Sequence, residues 1–501
     1  GVTWVKPNIG LVEYHGSKSN NLVGVTSLEG VVFRDPKARS GEEYVYVTNL
    51  EKEGIVRYFS PDGLRWQRDH APLLRFRADT QNVTFWDEQH DCYVLYLRGW
   101  DAGKDWNARL RKVVRATAPT LHTPWPIKPA DGLPRIKDEL PTVFAADKND
   151  PPNTDVYNIS AQPYPLDPRW YVGFPSMFQR ERNISDGRLH VQFTGSRDGI
   201  TWQRFDRAAY VQPSTNENMV FMGTGLIVRD DEIWQYGTGF HSRHGDVAAR
   251  RKRTDGVIYR YVQRVDGFVS ADFGADEGRC VTTPVTADAA RLLLNLDTGT
   301  QGELRVGLLE TNGTFVAGFA PEDCVVLRTN STHAAVMWKN RSDLSALQGH
   351  AVRLVFIGSR AKLYSYRFEA SPQAITLREL PLLFADDSGI AARDGVIRVV
   401  HPARTRSAPV LEADCPWEGS RVYVYGSVYF DETAGQLRLW YMSRAHAYKG
   451  DFMLYATSQD GVTWLKPSLG LYDFEGSTTN NIVFGIHSPS VLRDVRELDP
   501  A

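Results

Sequence analysis

Residues 196–202 read SRDGITW, and the same Ser-x-Asp-Gly-x-x-Trp pattern stands at 60–66 (SPDGLRW) and 458–464 (SQDGVTW). Asp and Gly accept the backbone angles of a tight turn, and Ser and Asp side chains bond the local backbone. The closing Trp is then a large plug for the seam between neighbouring sheets. Ahead of each turn lie short apolar and aromatic segments spaced as strands. They are 159–164, 170–174 and 189–194 for the first turn, and 31–35 (VVFRD) and 44–48 for the second. The third has 427–431 (SVYFD), 436–442 (QLRLWYM) and 452–457. Two more units follow the rule without the turn: 83–87 (VTFWD), 92–98 (CYVLYLR) and 112–117, closing at Trp125; and 226–230 (LIVRD), 233–237 (IWQYG) and 257–263. Units of this length repeated around an axis are blades, and five of them make a β-propeller.

The chain also says one thing twice. Residues 1–23, GVTWVKPNIGLVEYHGSKSNNLV, return at 461–483 as GVTWLKPSLGLYDFEGSTTNNIV. The reading is a chain cut across tandem copies, or a circular permutation, in which about 380–464 supplies blade one and closes the ring. Only one copy is expected in the shared slot, with the other loosely packed. Between the copies, 268–368 changes to apolar runs broken by Gly, Asn and Asp turns, the pattern of a separate β-sandwich. The expected division is 1–267 for blades two to five, 268–369 for the sandwich, 370–380 for a linker, and 381–501 for the second-copy segment. The fold class is all-β, a five-bladed propeller plus a sandwich.

With 501 residues, 42% of them hydrophobic, the chain has ample material for such cores. Its net charge of -2 leaves no electrostatic footprint for nucleic acid. No stretch approaches the roughly 20 apolar residues of a transmembrane helix. The basic run Arg250, Arg251, Lys252, Arg253 reads as a solvated loop. Cys92, Cys280, Cys324 and Cys415 show no metal spacing. Cys280 and Cys324 share one expected domain, and their pairing is open. No metal or other cofactor is expected.

The heads of the innermost strands bring side chains from every blade to one funnel. Carboxylates there are Asp79 (in ADTQN), Asp155 (in NTDVYN), Glu217 (in TNENMVF), and also Glu29 and Glu418. Glycosidic hydrolysis needs two: an acid for the leaving oxygen and a nucleophile or base. Asp79, Asp155 and Glu217 are the candidate catalytic set, with Glu217 as acid, Asp79 as base or nucleophile, and Asp155 as pKa modulator or hydroxyl ligand. Substrate contacts are expected from Arg98, Tyr157, Glu29 and Glu418, and from His241, Arg243 and His244 in GFHSRHGD. Trp100, Trp106 and Phe240 are further rings for stacking on sugars, and Trp86 is another, with a place in the core as its favoured reading. Asp35, Asp87, Asp230 and Asp431 end inner strands beside turns and read as structural, as do the turn aspartates.

These motifs resemble the five-bladed propeller glycosidases, the clan of glycoside hydrolase families 32, 43, 62, 68 and 117. Nearest is a bacterial family 32-like group, on the DGVTWxKPxLGLxxxxGSxxNN, DTQNVxxWD and TDxYxIS stretches and a sandwich ending in AKLYSYRF. The resemblance covers nearly the whole chain in permuted order. It implies a secreted or periplasmic enzyme acting on a carbohydrate substrate. The WMNDPNG motif of family 32 is absent, since blade one's strand reads YGSVYFD, and its ECP motif is absent too. A glycoside hydrolase is the leading expectation, with a non-catalytic carbohydrate-binding propeller and a glycoside phosphorylase as alternatives. The phosphorylase would draw its phosphate site from Arg98, Arg243 and His244.

Overall fold

The computed structural model describes residues 2–4, 8–14, 16–23, 30–101, 108–125, 140–246, 255–339, 341, 343–369, 382–387, 390–405, 408–424, 427–431, 434–445 and 450–485. Among them there is no α-helix; the chain is a five-bladed β-propeller with a β-sandwich.

Blade two pairs Val31–Arg34, Tyr44–Leu50, Gly54–Ser60 and Gln67–Arg68 in chain order. Blade three does the same with Val83–Asp87, Cys92–Trp100, Arg111–Ala118 and Thr142–Phe144. Blade one is Val428–Asp431, Gln436–Ala445, Gly450–Ser458 and Thr463–Leu465. Blades four and five start on Thr154–Tyr164 and Ile227–Arg229 and merge into one eleven-stranded sheet. The join is Met219–Met222, parallel to Gly187–Gln192 on one side and antiparallel to Glu232–Phe240 on the other. The ring closes where Thr224 of blade five bridges Ser427 of blade one, whose Oγ donates to Val32 O of blade two at 3.3 Å.

The repeated turn works across blades. Asp198 Oδ1 accepts from the N–H groups of Ile200 and Thr201 at 2.8 and 2.7 Å, and Gly199 holds φ 64°. Its carbonyl accepts the Tyr96 hydroxyl of blade three at 2.7 Å, and Trp202 packs on that ring at 5.9 Å. In blade one, Asp460 bonds Val462 N and Thr463 N. Gly461 O there takes the Tyr236 hydroxyl of blade five, and Trp464 lies 5.3 Å from that ring. These two turns therefore clamp their blades to the one before. The strand-end aspartates clamp the other way: Tyr93 donates to Asp35 and Tyr171 to Asp87, both at 2.6 Å from the following blade. Asp431 pairs with Arg438, and Asp230 is exposed at φ 52°.

Burial raises the Asp62 and Asp198 carboxyl pKa values, but the turn's backbone donors outweigh it and both end lowered. A lowered folded pKa gives stability that is present above the unfolded value, about 3.9, and lost as pH falls through the folded one. Asp198→Ala should cost about 1–2 kcal/mol at neutral pH. Asp198→Asn should lose less stability than the wild type between pH 6 and 3, which melting temperatures across that range will show.

The sandwich faces a six-stranded sheet containing Arg291–Asp297 and Lys362–Glu369 against a five-stranded sheet containing Glu303–Glu310 and Ala351–Ser359. Its core runs without a break into blade four: Tyr164, Trp170 and Phe174 share one buried cluster with Phe268, Leu294 and Phe356. The sandwich extends past the expected boundary at 369. Ile390–Asp394 and Val396–Val400 add to its two sheets, and only at Arg404–Thr405 does the chain rejoin blade five. The linker 370–380 lies outside the described residues. Cys280 and Cys324 are both buried and form no disulfide, and neither do Cys92 and Cys415.

The duplicate stretches do not exclude one another. Val2–Trp4 runs parallel to Thr463–Leu465, one residue out of register with the repeat, and Asn21 N donates to Asn480 Oδ1 at 3.0 Å. Ser17 reaches Asp473 and Thr478. The second copy sits deeper: Asn481 bonds Trp417, Tyr441 and Tyr455, whereas the side-chain amide of the equivalent Asn21 is buried without a partner.

Candidate active site

Residues from the innermost strands of all five blades surround one axis, among them Val32, Val83, Ala161, Ile227 and Val428. Strands climb about 3.3 Å per residue. Four residues before Val83 is Asp79; the same step before Ala161 and Ser427 gives Tyr157 and Tyr423. Asp79 and Tyr157 stand together ahead of the axial lining, joined through Arg98.

Arg98, on the second strand of blade three and 4% exposed, organises that pair. Its Nη1 donates to Asp79 Oδ1 at 3.2 Å, while Nε and Nη2 donate to Tyr157 O at 3.1 and 2.8 Å. The guanidinium also lies 4.1 Å from the Tyr157 ring centroid. The Tyr157 hydroxyl is 3.1 Å from His244 Nε2, and His244 Nδ1 contacts Ser185 O. Asp79, Arg98, Tyr157 and His244 therefore form one connected line across blades three, four and five. Beneath it, Phe178, Phe221, Phe240, Tyr423 and Met442 make a dry floor on which Tyr157 packs.

Blade one adds groups that the sequence reading missed. Arg444 bonds Asp451 at 3.3 Å. Burial opposes its charge, but Asp451, Tyr423 and Tyr157 together hold its pKa above the ordinary value. Arg421, 2% exposed, is paired with Asp255 and donates to the Tyr423 hydroxyl at 3.2 Å. Asp255 in turn fixes Ser242 through its N–H and its hydroxyl, at 2.7 and 2.8 Å. The loop bearing His241, Arg243 and His244 is thereby tied to blade one. Two side chains at this site keep about a third of their surface open: Asp79 at 35% and Arg444 at 38%.

Asp155 is placed differently from its expected role. It is fully buried, accepting from Arg111 Nη1 at 3.1 Å, Arg111 N at 3.1 Å and Arg180 Nε at 3.0 Å. Burial lowers the Arg111 pKa, and Asp155 works against that. Arg111 is itself packed on Trp100 and Phe178. This carboxylate is a brace between two guanidiniums, with no surface for a sugar.

Glu217 stands further out. Its Oε1 accepts the Tyr259 hydroxyl at 2.7 Å and its Oε2 accepts Ser214 N at 3.0 Å. It lines a 420 Å³ groove between blades four and five with Gln179, Arg188, His190 and Gln212. His241 joins this side, bonding Asn216 O at 2.8 Å, so the 241–244 loop has Glu217 at one end and the Asp79 line at the other. Arg243 is taken by Glu181 and lies 3.8 Å from Asp186.

Glu418 is fully buried behind blade one. It accepts from Tyr441 at 2.6 Å and from the N–H groups of Asp414 and Cys415, and pairs with Lys466 at 2.9 Å. Its expected substrate contact is therefore closed off by the protein's own groups. Asp414, Cys415 and Glu418 gather as metal ligands would, but the Lys466 ammonium bonds Asp414 and Glu418 there. Glu29, Trp106 and the 250–253 run lie outside the described residues.

No protein-family model matches the chain, and no curated protein does. Solved structures match it weakly. One described as a glycoside hydrolase has 14% identity and TM-score 0.30 over 43% of this chain, which spans 66% of its length. The endo-arabinase of Bacteroides thetaiotaomicron has 13% identity and TM-score 0.30, over 49% of this chain and 78% of its own. A glycoside hydrolase structure from Parabacteroides distasonis has 10% identity and TM-score 0.34, over 87% and 89%. Likeness at this level assigns no activity.

Proposed function

We propose that the chain is a glycoside hydrolase acting on an oligo- or polysaccharide laid across the funnel mouth. The observation that carries this is Asp79: a carboxylate one-third open above the axis, with one oxygen held by Arg98 in a line that runs through Tyr157 to His244. Such a group is positioned by neighbours that cannot drift, which is what a base or nucleophile needs. Glu217, across the His241–His244 loop, is carried over as the acid of this reading, a role that requires it within about 10 Å of Asp79 when substrate is bound, and Arg444 binds substrate oxygens. Asp155 leaves the reacting set and holds Arg111 and Arg180. A secreted or periplasmic location would suit a polysaccharide substrate and belongs to the same proposal.

The test uses leaving-group chemistry. An aryl glycoside with a strongly acidic phenol departs without protonation, whereas a sugar alkoxide does not. Glu217→Gln should lose about 10²–10⁴-fold of its rate on the natural linkage and little on the dinitrophenyl glycoside. Equal losses on both, with folding unchanged, would remove Glu217 from the acid's role.

One observation favours a second reading, a carbohydrate-binding propeller without turnover. Of the three candidate carboxylates Asp155 is sealed, and Glu217 has both oxygens bonded within the protein. The phosphorylase reading gains no such support, because Arg98 and Arg243 are held by Asp79 and Glu181.

A further inference from the structure

We infer that the axial cavity lined by the innermost strands is a binding site for a small apolar monocarboxylate. The cavity measures 460 Å³, within the size range of sites for small organic ligands. All five blades wall it, mainly with apolar side chains such as Val83, Phe85, Ile227, Val428 and Phe430. A sugar would leave most of its hydroxyls unpaired against such walls, so this is no extension of the funnel. One polar feature marks it as more than a dry seam. Arg229, ending the innermost strand of blade five, stacks on Phe430 at 4.3 Å and has no carboxylate partner among the described residues. Other polar groups in the wall are engaged: Gln162 accepts Gly225 N at 2.7 Å and Ser427 donates to Val32 O. One unpaired cation at the end of an apolar chamber selects a ligand with one anionic head and a hydrocarbon body. An acyl chain and a flat aromatic acid share that chemistry.

Calorimetric titration of the full chain with octanoate, 2-naphthoate and octan-1-ol tests this and needs no saccharide turnover. Saturable one-to-one binding of at least one acid is expected; octanoate alone would mark an acyl ligand, 2-naphthoate alone an aromatic one. Arg229→Gln should weaken the acid about tenfold and leave octan-1-ol unchanged. Val428→Phe, which fills the chamber, should abolish binding of all three. If that variant does not fold, the partly exposed Arg229→Gln decides alone. No saturable binding of either acid, or acid binding that Arg229→Gln leaves unchanged, overturns the inference.

Discussion

Asp79→Asn is expected to lower the rate of glycosidic cleavage by about 10²–10⁴-fold while leaving the melting temperature nearly unchanged. The two halves of that expectation come from the same contacts. Asp79 is one-third exposed and lies on the loop ahead of Val83–Asp87, so the neutral amide fits where the carboxylate was. Arg98 keeps its two bonds to Tyr157 O and the ring beneath it, so the guanidinium stays in place. What is lost is the charge that attacks the anomeric carbon or activates water. Saccharide affinity, which rests on hydroxyl contacts and stacking, should change far less. A parallel loss of affinity and rate would mean that Asp79 binds rather than reacts.

The opposite pattern is expected one strand away. Asp155→Ala should destabilise the fold by about 3–5 kcal/mol, because it leaves Arg111 and Arg180 facing each other in a buried site without their counter-charge. Arg111 is held against Trp100 and Phe178, so it cannot turn to solvent to escape the penalty. Differential scanning calorimetry and chemical denaturation should both report the loss. Any fall in activity should then follow the folded fraction. A stable Asp155→Ala protein lacking only turnover would return this residue to the reacting set.

The blades were legible because their signals are local. The Ser-x-Asp-Gly-x-x-Trp turns, with Trp202 and Trp464 packing on the preceding blade, carry their geometry within seven residues. Asp79, Tyr157 and His244 could be proposed from the sequence because they lie ahead of the inner strands or on the loops beside them, whereas Arg98, on the second strand of blade three, follows no such step. Asp155, two residues ahead of Tyr157, shows the limit of that reasoning. There the chain faces guanidiniums from other strands, and pairing between Arg111, Asp155 and Arg180 leaves no pattern in any short window. Arg421 with Asp255, and Glu418 with Lys466, were hidden for the same reason. The return of 390–400 to the sandwich was also hidden, since a strand's partner is not written in its own alternation.

The most direct test of the account is a paired measurement on the wild type and Asp79→Asn. Sugar release and equilibrium binding would be followed on one panel of polysaccharides and oligosaccharides. The account predicts release by the wild type, loss of release in the variant, and similar affinity in both. Release that persists undiminished in Asp79→Asn, or binding by both proteins with no release by either, would contradict it.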